Sequence, residues 1–199
     1  MPQIDYFFSV ISPFTYLVGD RFDKIADHYQ ANIVYKPIDV IALFARTGGL
    51  PVKDRHRSRQ EYRAQDIIRQ AKKAGLPFNL QPAFWPANQA PASYAFIAAQ
   101  HAGGGNLGKL VHIMTRACWA EERNIADDAV IGDCLAAAGF DPALSQSGML
   151  QGAEQYVQNL EQAVDTGVFG APFFIVDTGQ RFWGQDRLDD LEAHLAGAF

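Results

Sequence analysis

The ends of the chain carry mixed strand and helix patterns. The stretch from Ile4 to Tyr16 opens with aromatic and apolar residues, which predict a short buried strand. Ser12 and Pro13 then favour the start of a helix, because serine is a preferred N-cap and proline fits the first helical position. Apolar side chains recur at three- and four-residue steps up to residues 28–30, which predicts one amphipathic helix. A second strand is predicted over Asn32–Pro37.

The middle of the chain, from about Val40 to Leu150, shows helical patterns and loops with few convincing strands. The segment Pro77–Pro91 holds four prolines, too many for regular structure. Helices are predicted over four ranges: 59–74, 92–101, 107–122 and 129–138.

The mixed pattern returns from Gly152. A helix is predicted to about Thr166, followed by a hairpin of the strands Phe173–Val176 and Arg181–Trp183 and by a final helix. The ends together have the order βαβ and αββα, which is typical of a thioredoxin-like fold. We therefore predict an α/β protein with a thioredoxin-like domain of residues 1–39 plus 152–199. Residues 40–151 form an inserted, all-helical domain in this prediction.

Composition and charge argue against a nucleic-acid-binding protein and against a membrane protein. Hydrophobic residues make up 48% and charged residues 20% of the 199-residue chain, an ordinary globular balance. A net charge of −5 argues against nucleic acid as the main partner. No apolar run approaches the roughly 20 residues that span a membrane, and the N-terminus lacks a basic region followed by an apolar stretch. We expect a cytoplasmic protein without a membrane partner.

The two cysteines, Cys118 and Cys134, match no redox or zinc spacing. We expect no disulfide and no metal site, and each thiol is predicted to be a small buried apolar residue rather than a reactive group.

Three places in the predicted fold are candidates for chemistry. Ser12 lies where a strand ends and a helix begins, so its hydroxyl is either an ordinary N-cap or part of an anion site. Pro172 precedes a strand and follows small residues; in the cis form it would turn the Ala171 N–H and C=O toward an extended peptide, whereas a trans proline would merely begin the strand. Gln185 and Asp186 precede the last helix, where the carboxylate either caps the helix or binds a ligand ammonium group.

Two further clusters have two interpretations each. The basic run Arg55–Arg59 in an acidic protein is either a solvated surface or a site for ligand carboxylates. Phe84, Trp85 and Trp119 either pack in the interior or form the wall of an aromatic substrate pocket.

These motifs resemble those of a known family. The chain is similar to the 2-hydroxychromene-2-carboxylate isomerases, relatives of the kappa-class glutathione transferases in the DsbA-like thioredoxin superfamily. The resemblance is collinear and nearly full length. The matching stretches are Tyr6–Phe8, Ser12–Leu17, Gly75–Leu80, Trp119–Ile125, Gly167–Pro172 and Trp183–Leu188.

The resemblance implies a glutathione site. Ser12 stands where thioredoxin-like oxidoreductases keep their first active cysteine, and it is expected to donate a hydrogen bond to the glutathione sulfur. Ala171, before a cis Pro172, is expected to pair with the main chain of the glutathione cysteine. Gln185–Asp186 match positions that hold the γ-glutamyl end, and Arg59 falls near a basic position that contacts glutathione. Two departures lie nearby, because the family often has Asp at Ser9 and Ser at Thr15.

The implied reaction is the glutathione-dependent cis–trans isomerisation of an aromatic ring-fission product, by reversible addition of the thiolate to a conjugated enone. The resemblance also implies a homodimer. A kappa-like glutathione transferase that acts on electrophiles is one alternative, and a non-catalytic glutathione- or peptide-binding module is another. Thiol–disulfide exchange is excluded, because no cysteine stands near Ser12 at the start of the first helix.

Overall fold

A computed structural model describes all 199 residues. It has four strands, β1 to β4, which are Gln3–Phe8, Asn32–Pro37, Phe173–Val176 and Arg181–Trp183. Its ten helices, α1 to α10, are Pro13–Tyr16, Arg21–His28, Val40–Thr47, Arg57–Ala74, Ala90–Ala102, Leu107–Trp119, Asp128–Ala137, Leu144–Ser147, Met149–Asp165 and Leu188–Leu195. Two 3₁₀ turns cover Val52–Asp54 and Gln185–Arg187.

The four strands form one mixed sheet in the order β2-β1-β3-β4. β1 runs parallel to β2 and antiparallel to β3, and β4 completes a hairpin with β3. The four predicted strands and the βαβ and ββα order of the ends are confirmed. Because Phe7 lies opposite Phe173, the residues that follow β1 meet the residues that precede β3 at one end of the sheet.

Side chains of β1 alternate between two apolar layers, as expected for a strand covered on both faces. Tyr6 and Phe8 enter the larger core, where the Tyr6 ring lies 4.9 Å from that of Phe174 and the Phe8 ring 5.0 Å from that of Phe96 on α5. Phe7 enters a smaller cluster on the opposite face, with Leu43 of α3 and other buried residues. None of the helices combines the length and apolar character needed to cross a membrane.

One core thus joins the sheet to helices of the middle of the chain. The predicted boundary between residues 151 and 152 falls inside α9, and the helix α5 packs along α9. The division into a thioredoxin-like domain and an inserted helical domain stays a prediction.

The first helix differs from the prediction of one continuous helix. α1 ends at Tyr16 after a single turn, and α2 begins only at Arg21. Gly19 lies between them with φ of +60°, a left-handed conformation that glycine adopts at little cost and that interrupts helical hydrogen bonding. The prediction failed because Leu17 and Val18 stay buried in the same core and so continue the apolar pattern across the break.

Two other helix starts were not predicted. α3 begins after Asp39, whose carboxylate accepts hydrogen bonds from the Ile41 and Ala42 N–H groups, each at 3.0 Å. α5 begins at Ala90, inside the proline-rich segment, because Pro91 falls in the first turn, where a missing N–H costs nothing.

Packing of α5 against α9 generates a stability prediction. A Cβ added at Gly152 of α9 would lie 2.6 Å from the backbone oxygen of Tyr94 and 2.7 Å from its Cα. Gly152→Ala should therefore lower the free energy of unfolding by about 1–3 kcal/mol, because backbone must move. Urea unfolding measures the change.

Gly132→Ala on α7 is the matched control. Its added Cβ would meet Pro142 Cβ at 3.6 Å and Pro142 O at 3.9 Å, both ordinary contacts. Alanine has the higher helix propensity, so this variant should be up to about 1 kcal/mol more stable than the parent. Equal stabilities for the two variants would show that the α5–α9 approach is looser than described.

Candidate functional site

Ser12 lies at the point where the loop after β1 turns into α1, and it is almost completely buried. Its N–H donates to Ser9 O at 3.0 Å, which closes the turn. Its hydroxyl oxygen accepts a hydrogen bond from the Thr15 N–H at 3.3 Å, so the N-cap interpretation is confirmed. The same hydroxyl donates to Ala171 O at 3.0 Å, across 159 positions of the chain. Ser12 therefore joins the two ends of the sequence.

The Ala171–Pro172 peptide bond is cis. Ala171 is 8% exposed, and its N–H donates to no protein group. The sequence predicted that both backbone groups of Ala171 would be free for a ligand, but only the N–H is, since the carbonyl accepts from Ser12. A buried donor without a partner therefore lies beside the serine hydroxyl, and a main-chain carbonyl of a ligand would satisfy it.

Gln185 and Asp186 lie in the 3₁₀ turn that follows β4. The turn is tied to the cis-proline loop, because the Gly184 N–H donates to Pro172 O at 3.0 Å. Gly184 has φ of +106°, a backbone conformation that favours glycine. The carboxylate of Asp186 caps no helix; it lies 3.5 Å from Nη2 of Arg187 and is half exposed.

Hydrogen bonds thus bring Ser12, Ala171, Pro172 and the Gln185–Asp186 turn to one end of the sheet. Arg59 is different. It lies in the first turn of α4 with an exposed side chain, and its guanidinium makes no hydrogen bond or ion pair with any other residue. No hydrogen bond links Arg59 to Ser12, to the Ala171–Pro172 segment or to the Gln185–Asp186 turn.

A buried polar network that the sequence did not predict supports the turn before Ser12. The Ser9 hydroxyl donates to Oε1 of Gln89 at 2.7 Å, and Nε2 of Gln89 donates to Oδ1 of Asp39 at 2.9 Å. Ser9 and Gln89 are both buried. The network ties the Ser9–Ser12 turn to the start of α3 and of α5. Asp39 could have been recognised as an N-cap before an apolar run, but nothing in the sequence connects Gln89 with Ser9, 80 positions away.

Aromatic rings continue from α1 toward the middle of the chain. The Tyr16 ring stacks on His112 at 5.5 Å between centroids, and Phe78 stacks on Trp119 at 5.2 Å. Trp119 is 2% exposed and packs in the core, whereas Trp85 is only partly buried against it and Phe84 lies half exposed. The interior interpretation holds for Trp119 and fails for Phe84.

The two cysteines are free, as predicted, and both are buried. Burial raises the pKa of the Cys118 thiol to about 12 and that of Cys134 to about 11. Both side chains are protonated at neutral pH and behave as small apolar residues. The polar groups that meet at Ser12 are its hydroxyl and backbone groups, and neither cysteine supplies a thiolate at neutral pH.

Comparisons with known proteins identify the family of the chain. Residues 3–196 match the model of the DSBA-like thioredoxin domain. The chain is 30% identical to a 2-hydroxychromene-2-carboxylate isomerase of Sphingobium xenophagum, over 96% of this chain and 97% of that protein. It is 24% identical to glutathione S-transferase kappa 1 of Caenorhabditis elegans, over 94% of this chain and 88% of that protein.

The fold agrees with that of a solved 2-hydroxychromene-2-carboxylate isomerase. The TM-score is 0.78 at 24% sequence identity, and the match covers 98% of this chain and 95% of that one. The chain therefore belongs to the DSBA-like thioredoxin domain family and, within it, to the 2-hydroxychromene-2-carboxylate isomerase family.

Proposed function

We propose that this protein is a glutathione-dependent cis–trans isomerase of aromatic ring-fission products, such as 2-hydroxychromene-2-carboxylate, which it converts to trans-o-hydroxybenzylidenepyruvate. Similarity to a 2-hydroxychromene-2-carboxylate isomerase supports the reaction, and similarity to a kappa-class glutathione S-transferase supports glutathione as the cofactor. One observation carries the proposal. A buried serine hydroxyl at the start of α1 bonds to the Ala171 carbonyl, and the N–H of the same alanine has no partner.

The residues around Ser12 fit a short peptide thiol. The Ala171 N–H is available to a main-chain carbonyl. The Ser12 hydroxyl can donate to a sulfur atom once it releases Ala171 O. The half-exposed Asp186 carboxylate, beside the buried Gln185, is suited to the γ-glutamyl ammonium group. Arg59 supplies an unpaired guanidinium for a carboxylate at the other end of the tripeptide. These four protein groups match the polar groups of glutathione in kind.

When bound, glutathione supplies a thiolate that adds reversibly to the conjugated enone, so that a rigid double bond becomes a rotatable single bond. Ser12 stabilises that thiolate by donating a hydrogen bond to the sulfur. Ala171 fixes the cofactor main chain next to the hydroxyl. The chain itself thus contributes orientation and a lowered thiol pKa rather than a nucleophile.

Binding has to exchange one hydrogen bond for another. The Ser12 hydroxyl carries a single proton, which it gives to Ala171 O. Donation to a sulfur atom withdraws that proton from the carbonyl, which is then left without a donor unless a ligand N–H replaces it. Cofactor binding in this proposal is therefore a partner exchange, in which the Ala171 carbonyl accepts from the ligand while Ser12 donates to the sulfur.

The first prediction concerns the thiol pKa of bound glutathione. Ser12→Ala should raise it by about one to two pH units, because a hydrogen bond to a charged group contributes about 1.5–3 kcal/mol. Isomerisation should slow by about 10- to 1000-fold. Ultraviolet thiolate absorbance, recorded against pH with saturating glutathione, measures the pKa directly.

Ser93→Ala is the matched control for Ser12→Ala. Ser93 is also fully buried and also donates to a backbone carbonyl, Gln89 O at 2.8 Å, but it lies on α5. Its loss should cost stability without changing the thiolate signal. A Ser12→Ala protein that folds normally and keeps both the parent pKa and the parent rate would exclude Ser12 as the thiolate donor.

The second prediction separates the proposed reaction from its alternatives. With 2-hydroxychromene-2-carboxylate in large excess over glutathione, an isomerase should convert many equivalents of substrate and leave the glutathione concentration unchanged. S-methylglutathione, which lacks a free thiol, should support no turnover. Stoichiometric consumption of glutathione would instead identify a kappa-like transferase, and tight glutathione binding without turnover of either kind would identify a binding module.

A further inference from the structure

We propose that Arg63, together with Arg55, binds the carboxylate of the second substrate and thereby selects anionic aromatic compounds. The Arg63 side chain lies against Phe14 of α1, and the Arg55 side chain lies against Phe44 of α3. This inference rests on the proposed function, because it concerns the substrate that the thiolate would attack.

The first observation is a local excess of unpaired positive charge. Of the eleven arginines of the chain, seven form ion pairs with Asp or Glu. Three of the remaining four are neighbours at the start of α4, namely Arg55, Arg59 and Arg63. The protein carries five more acidic than basic side chains, so carboxylates are abundant elsewhere. No carboxylate lies within ion-pair distance of these three guanidinium groups, which leaves them available to an external anion.

The second observation is the position of Arg63 beside the turn that carries Ser12. The guanidinium carbon of Arg63 lies 5.4 Å from the centroid of the Phe14 ring, and Phe14 is two residues beyond Ser12 in the sequence. Arg63 is partly buried, and its side chain makes no hydrogen bond to another residue. An aromatic ring covers one face of the guanidinium but leaves the N–H groups along its edge free for a carboxylate.

The Arg55 guanidinium also lies on an aromatic ring, and a hydrogen bond to the backbone holds it there. Its guanidinium carbon lies 5.4 Å from the Phe44 ring centroid, and its Nε donates to Leu50 O at 2.8 Å. The bond to Leu50 uses the Nε proton and leaves the terminal N–H groups available. Two guanidinium groups held on aromatic faces, each with free terminal donors, match the bidentate binding of a carboxylate.

The electrostatic environment agrees with an anion as the missing partner. Burial, and secondarily the charge of Arg55, lowers the pKa of Arg63 to about 10. Burial and the nearby charge of Arg59 also lower the pKa of Arg55. Both groups remain cationic at neutral pH, so the fold tolerates desolvated like charges with no internal compensation. A bound carboxylate would relieve both the desolvation and the repulsion.

A carboxylate could come from the second substrate or from the glycyl end of glutathione, and calorimetry distinguishes the two. The probes are trans-benzylidenepyruvate and its neutral methyl ester, titrated into protein saturated with S-methylglutathione. The parent protein should bind the acid about 10- to 100-fold more tightly than the ester, as expected for a charge-assisted pair. In Arg63→Met the preference should fall to about twofold or less, while the Kd for S-methylglutathione stays unchanged.

Arg69→Met is the matched control, since Arg69 lies on the same helix, is paired with Asp66 and stacks on Tyr62. It should keep the full preference for the acid. If Arg63→Met does not fold, Arg55→Met tests the second cation and should reduce the preference in the same direction. A variant that weakens S-methylglutathione binding and keeps the acid preference would assign these arginines to glutathione and overturn the proposal.

The test of the carboxylate site can fail or succeed independently of the test of glutathione binding. If the parent protein does not bind S-methylglutathione, the glutathione assignment fails, but the acid and the ester can still be titrated into the protein alone. Equal affinity of the parent protein for the two probes would overturn the carboxylate site, whatever the result for glutathione.

Discussion

The antiparallel pairing of β1 with β3 is the contact on which the rest of the molecule depends. It joins residues near position 5 to residues near position 175, and closing so long a loop is entropically costly. The aromatic layer offsets that cost, because Tyr6 stacks on Phe174 and both rings contact Phe22 in a fully buried cluster. The same pairing brings the segment that follows β1 beside the segment that precedes β3, where the Ser12 hydroxyl donates to the Ala171 carbonyl.

Two sets of hydrogen bonds support the segments that carry Ser12 and Ala171, and the groups that form them need not contact a ligand. On one side, Gln89 connects Ser9 to the N-cap of α3. On the other, the hydrogen bond from Gly184 to Pro172 fixes the turn that carries Asp186 to the cis-proline loop. These contacts fix the positions of the Ser12 oxygen and the Ala171 N–H before binding. In the proposed reaction only the hydroxyl proton of Ser12 then turns from Ala171 O toward the sulfur.

The sequence predicted the strands and their order because β1 and β3 are dense aromatic runs bounded by polar or turn residues. It predicted the Ser12 cap because capping depends on residues three positions apart. It did not predict the break at Gly19, since both helices bury apolar side chains in one core and keep the same periodicity. It also could not show that Ser12 and Ala171 satisfy each other, or that Gln89 reaches Ser9. Those contacts follow from tertiary packing, which local pattern does not encode.

Burial of the two cysteines matters for a protein that would handle conjugated enones. Such compounds alkylate exposed thiolates, and an enzyme with ionised cysteines would be inactivated by its own substrate. With pKa values of about 12 and about 11, Cys118 and Cys134 are ionised in only about one molecule in 10⁵ and one in 10⁴ at neutral pH. Both sulfur atoms therefore stay protonated in the interior, and in the proposed reaction the thiolate that meets the electrophile is that of bound glutathione.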